Sequence, residues 1–125
     1  MREKSQIHSA EVLGVNFEVV VTNNITESYN QPARLKQMDN EKLGEVNYAG
    51  LTCARHRYVL ILFDRSCICH DLIAHEARHA TDFMLEMVSW KYGKKADKEV
   101  CAVVAGYVAR TIYRDIKKFR VNIKW

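Results

Sequence analysis

Residues 57–79 read RYVLILFDRSCICHDLIAHEARH, and the two halves of this stretch follow different periods. Arg57 to Phe63 is a near-continuous aliphatic and aromatic run, the pattern of a central strand buried on both faces. From about Ser66 the period becomes helical. Ile73, Ala77, Ala80, Met84 and Met87 recur at intervals of four and three, which draws one apolar stripe along a helix. Ser66 is read as the N-cap of that helix, because its hydroxyl can accept a bond from an orphan backbone N–H. A buried strand feeding a long amphipathic helix sets the frame for everything else.

Working outward, Val12 to Thr22 alternates. Val15, Phe17, Val19 and Val21 point one way while Asn16, Glu18 and Thr22 point the other, as in a half-buried strand. Asn23-Asn24 ends it. Pro32 suits the first turn of a short helix carrying Leu35 and Met38 on one side, closed by Gly44. Val46 to Ala54 is weakly strand-like and contains Gly50. Downstream, Tyr92-Gly93-Lys94-Lys95 breaks the helix, with Gly93 as its C′ residue. A second helix follows over about Ala96 to Lys118, with Val100, Val103 or Val104, Tyr107 or Val108, and Ile112 lining its buried side. Arg120 to Trp125 is a strand or a loose tail. The expected fold is α+β: a small twisted sheet of two to four strands packed on two long helices, with a short helix in the N-terminal third.

A chain of 125 residues with this balance makes one domain, 1–125. No signal-peptide core follows Met1, and the longest apolar run is far too short to span a bilayer, so the expected location is cytoplasmic. Cys53, Cys67, Cys69 and Cys101 are then expected as thiols. The net charge of +4 is uneven: residues 110–125 carry +5 and the rest −1. That excludes a whole-protein cationic coat for nucleic acid. It leaves a basic end as a candidate contact for nucleic acid or an acidic protein.

The chemistry sits in His75-Glu76-Ala77-Arg78-His79, an H-E-x-x-H pattern. Residues four apart lie one turn apart on the same helix face, so His75 and His79 can reach one metal ion. Glu76 projects beside them, placed to take a proton from a metal-bound water without binding the metal itself. Two imidazoles plus a carboxylate suit Zn2+. For the third ligand, Glu99 and Asp82 are both candidates, and Glu99 is favoured. It opens the second helix, which folds back on the first, and Ala102 and Gly106 would allow close approach. Asp82 is about 10 Å along the axis from His75 and is better suited to a supporting role. Arg78 is expected to face solvent or pair with Asp82. His70 points away from the pair, and His8 and His56 read as surface residues without partners. Cys67-Ile68-Cys69-His70 lacks a second ligand pair nearby, so buried thiols are its default reading.

These residues resemble the gluzincin metallopeptidases, and the 20-position gap from His79 to Glu99 matches the family's best-known member. The small size resembles the compact minigluzincins and the short H-E-x-x-H proteins often encoded by phages. The likeness covers about Arg57 to Arg110. It implies a zinc-dependent peptidase with His75, His79 and Glu99 as ligands and Glu76 as the general base. It also implies that the edge strand upstream of the buried strand, within Ala49 to Arg57, pairs with extended substrate. Two family features are absent. Val103 stands where an Asp would orient a ligand histidine, and no His follows His79 to stabilise the oxyanion. Tyr107, Arg110 and Tyr113 are the candidate donors for that charge. The alternative reading is a non-catalytic zinc-binding protein that docks on one protein or nucleic-acid partner.

Overall fold

The structure, a computed structural model, describes residues 2–39, 41–45, 47–92 and 98–124, with the side chains of 89–92 and 98 left aside. It is α+β, with a four-stranded mixed sheet and four helices. The strands are β1 (Glu3–Ala10), β2 (Val15–Thr22), β3 (Gly50–Arg55) and β4 (Tyr58–Asp64), in the spatial order β1-β2-β4-β3. The helices are α1 (Ile25–Tyr29), α2 (Pro32–Met38), α3 (His70–Tyr92) and α4 (Lys98–Lys118). β2 and β4 run parallel at the centre, and β1 and β3 form antiparallel edges.

Strand alternation builds two cores, one on each face of the sheet. Val15, Phe17, Val19 and Val21 of β2 join Val59, Ile61 and Phe63 of β4 under α3 and α4. Val20, Leu60 and Leu62 face the other way, against Ile25, Tyr29 and Met38. β4 is therefore buried on both faces, as its unbroken apolar run predicts. The α3 stripe also falls where its period puts it, with Ile73, Ala77, Ala80 and Met84 at most 3% exposed. Burying the two large members, Ile73 and Met84, contributes about 1.5–3 kcal/mol each. On α4 the buried side is Val108, Ile112 and Ile116, while Val100, Val103 and Tyr107 are exposed. Of the paired alternatives, Val104 (half-buried) and Val108 are the ones that face inward.

Several elements differ from the sequence expectation. β1 carries few apolar residues, and α1 is a single short turn-and-a-half capped by Asn24, whose side chain accepts from the Glu27 N–H. Val12 lies in the β1–β2 turn, not in a strand, and that turn closes on Gly14 at φ +66. α3 begins at His70, because Ser66 is occupied elsewhere. Its N–H and hydroxyl both donate to Asp64 Oδ1, at 2.8 and 2.7 Å. The Leu72 N–H meets Cys69 Sγ at 3.4 Å instead. His8 is not a partnerless surface residue: its Nε2 lies 2.5 Å from Oδ2 of the buried Asp115, tying β1 to α4. Lys124 forms an isolated bridge with Cys69. The proposed breaker Gly93 and the start at Ala96 fall outside the described residues.

A polar inlay crosses the second core. The buried Arg34 donates to Glu3 Oε1 and to the Ser28 hydroxyl, and its guanidinium lies 3.7 Å from Glu18. Tyr58 donates its hydroxyl to Glu18 at 2.5 Å. Each buried charge has an opposite partner, the condition for tolerating it in low dielectric. This explains how Glu18 can sit 8% exposed in a strand flanked by valines. No helix among the described residues is long and apolar enough to cross a membrane.

Candidate metal centre

The helical period of α3 brings His75 and His79 together as their spacing requires. Their Nε2 atoms lie 3.0 Å apart, with the rings nearly perpendicular. Two imidazoles on a tetrahedral zinc, each at about 2.0–2.1 Å, hold their nitrogens about 3.3–3.4 Å apart. The observed separation, that of a hydrogen bond between the two rings, is a few tenths of an ångström shorter than this. Both rings are exposed, so an ion can approach from solvent.

Glu76 is set differently. It turns inward between α3 and β3 and is only 4% exposed. Its Oε1 accepts a bond from Thr52 Oγ1 at 2.8 Å, and its Oε2 stays 3.8 Å from His75 Nε2. One oxygen is thus anchored to the sheet while the other lies toward His75. Gly50 makes room for this. A Cβ on Gly50 would lie 3.0 Å from Glu76 Cγ and 3.1 Å from both Glu76 Cδ and Leu72 Cδ1. The carboxylate is also felt through the sheet. Burial, and secondarily the nearby Glu76, push the Cys53 thiol up to about 11, which keeps it protonated at neutral pH.

Gly50→Ala is accordingly expected to force Glu76 and α3 outward by a few tenths of an ångström. We expect a loss of about 1–2 kcal/mol in stability, as for other overpacked sites, measured by urea unfolding. An unchanged midpoint would show that Glu76 is not pressed against the strand.

The other candidate residues lie elsewhere. His70 Nδ1 meets the Tyr113 hydroxyl at 2.7 Å, which fixes the level at which α4 passes α3 and engages Tyr113 away from the histidine pair. Burial, with a smaller contribution from Cys69, raises the Tyr113 pKa. With Tyr113 opposite His70 on antiparallel helices, Glu99 comes level with Met84. It lines a groove with Met84, Tyr107 and Arg110, beside the β1–β2 turn. Met84 is five residues past His79, about 7 Å along the axis and about 140° around it. Glu99, Tyr107 and Arg110 thus gather on a different side of α3 from the histidines. α3 continues 13 residues beyond His79, so the gap to Glu99 is mostly used in extending the helix past the pair. Ala102 is exposed, and a Cβ on Gly106 would approach the Arg110 guanidinium, so neither small residue sets the α3–α4 approach. Asp82, 61% exposed, pairs with Arg78 at 3.3 Å. Among the described residues, no group of three His, Cys, Asp or Glu is arranged to hold a metal ion, and this includes Cys67, Cys69 and His70. All four cysteines are free.

Sequence reasoning missed Thr52 and Gly50. Gly50 carried a usable signal, since a glycine inside a strand often marks a close backbone approach. Thr52 carried none, because its partner is 24 positions away on another element. Comparison with protein-family models, curated proteins and solved structures finds no match to this chain.

Proposed function

We propose that the chain is a zinc-dependent peptidase, with His75 and His79 binding the metal and Glu76 handling the proton. The observation that carries this reading is the grouping of three side chains: two imidazole nitrogens 3.0 Å apart and a buried carboxylate with one oxygen 3.8 Å from that of His75. A zinc ion there would supply Lewis acidity to a carbonyl and lower the pKa of water. Glu76 Oε2 takes the proton of the attacking water and returns it to the leaving amine, while Thr52 holds Oε1 in place. The gluzincin resemblance supplies the substrate class, a peptide bond.

β3 supports the same reading. It is an edge strand, and Gly50, Thr52 and Ala54 face α3. Among the described residues no strand pairs with its outer edge, which can take an extended peptide as a fifth strand, with main-chain bonds positioning the scissile bond near Glu76. The experiment is to incubate the zinc-loaded protein with an unfolded polypeptide and follow new amino termini, with and without a zinc chelator. Chelator-sensitive cleavage is expected.

A second reading has its own observation. Neither Glu99 nor Asp82 joins the histidines, and His75 is 65% exposed, which suits a metal-binding protein that completes its coordination with a partner. Zinc binding without hydrolysis of any polypeptide would favour it.

A further inference from the structure

We propose that the groove between the β1–β2 turn and α4 is the interface of a symmetric dimer of this chain. Five large hydrophobic side chains are exposed among the described residues, and four of them belong to this one patch. They are Val12 (93% exposed), Val103 (68%), Val100 (44%) and Tyr107 (36%). Together they line a groove of about 680 Å3. Scattered single apolar residues need no explanation, but a contiguous patch does.

The patch selects a second copy as its occupant because it contains both a projection and a recess. Val12 stands at the tip of a tight turn on one wall. Val100, Val103 and Tyr107 rise from α4 on the other. A two-fold axis through the groove exchanges the walls, so each turn meets the partner's helix and each Val12 enters the partner's recess. The rim charges agree with that exchange. Glu11 lies on the turn wall, Glu99 and Arg110 lie on the helix wall, and no ion pair within the described residues engages Glu11 or Arg110. The same axis sets each Glu11 against the partner's Arg110, making two opposite-charge contacts per dimer. This dimer leaves the histidine pair, on another side of α3, open to solvent.

The test is sedimentation equilibrium of the full chain over a wide concentration range, independent of any metal or activity. A dimer is expected for wild type and a monomer for Val103→Asp. Glu11→Lys and Arg110→Glu should each weaken the dimer at least about tenfold, since each creates two like-charge contacts. The double exchange should return the affinity to near wild type. A monomer at every concentration would overturn the proposal, whatever peptide or other protein the groove takes. A dimer that ignores Val103→Asp would overturn it too, by pointing to another face. If Val103→Asp does not fold, the charge exchange alone decides: no rescue in the double variant contradicts the interface.

Discussion

Glu76→Gln will leave zinc bound and remove peptide hydrolysis. The substitution keeps the size of the side chain, and the amide oxygen can still accept the bond that Thr52 Oγ1 gives Glu76 Oε1. What it removes is the ability to take and return a proton beside the histidine pair. Losing a positioned general base costs about 10²–10⁴ in rate. The measurement is kcat on an unfolded polypeptide, with zinc content determined on the same samples. A zinc-loaded Glu76→Gln protein that still cleaves would sink the mechanism. The fold should survive, because neutralising a buried carboxylate removes a charge without leaving a cavity.

The second large effect is on the metal itself. His79→Ala should lose zinc far more severely than the about 10–100-fold typical of an outer-shell change, because it removes half of the imidazole pair. His79 is exposed on α3, so the metal-free fold should change by no more than about 0.5 kcal/mol. The two effects separate in a thermal melt. At a zinc concentration about 100 times Kd, binding adds about 2.7 kcal/mol to wild type, a rise of about 10 °C for a domain of this size. His79→Ala should show the wild-type midpoint without zinc and no rise with it. Glu99→Ala is the contrast. Because Glu99 lines the groove beside Met84, its loss should leave the zinc-dependent rise intact. A rise abolished in Glu99→Ala would bring that residue back as a ligand.

The parts of the fold that were legible in the sequence are those governed by short-range period. β4 and α3 announce themselves because their apolar residues recur without interruption over many positions. The histidine pair was legible for the same reason, since i and i+4 lie on one face of any α-helix. β1 was not legible. Its apolar content is too sparse for a strand pattern, and it is held by pairing to β2, by His8 on Asp115 and by Glu3 on Arg34. Those are contacts at long separation, which no local pattern reports.

The third ligand shows the same limit. The distance in sequence from His79 to Glu99 fits a metal site only if the first helix stops soon after the motif. Here α3 runs on to Tyr92, and the pairing of His70 with Tyr113 sets α4 too far along for Glu99 to reach back. Loop length and helix register, not residue type, decide that point. Thr52 is the converse case, an ordinary strand residue given a role by what packs on it.

The central claim is that His75 and His79 together bind one zinc ion. X-ray absorption at the zinc edge, on protein loaded with one equivalent, tests it most directly. The predicted result is a nitrogen and oxygen shell at about 2.0–2.1 Å with the scattering signature of two imidazoles and no sulfur. A sulfur shell at about 2.3 Å would place the ion on cysteine instead and contradict the account.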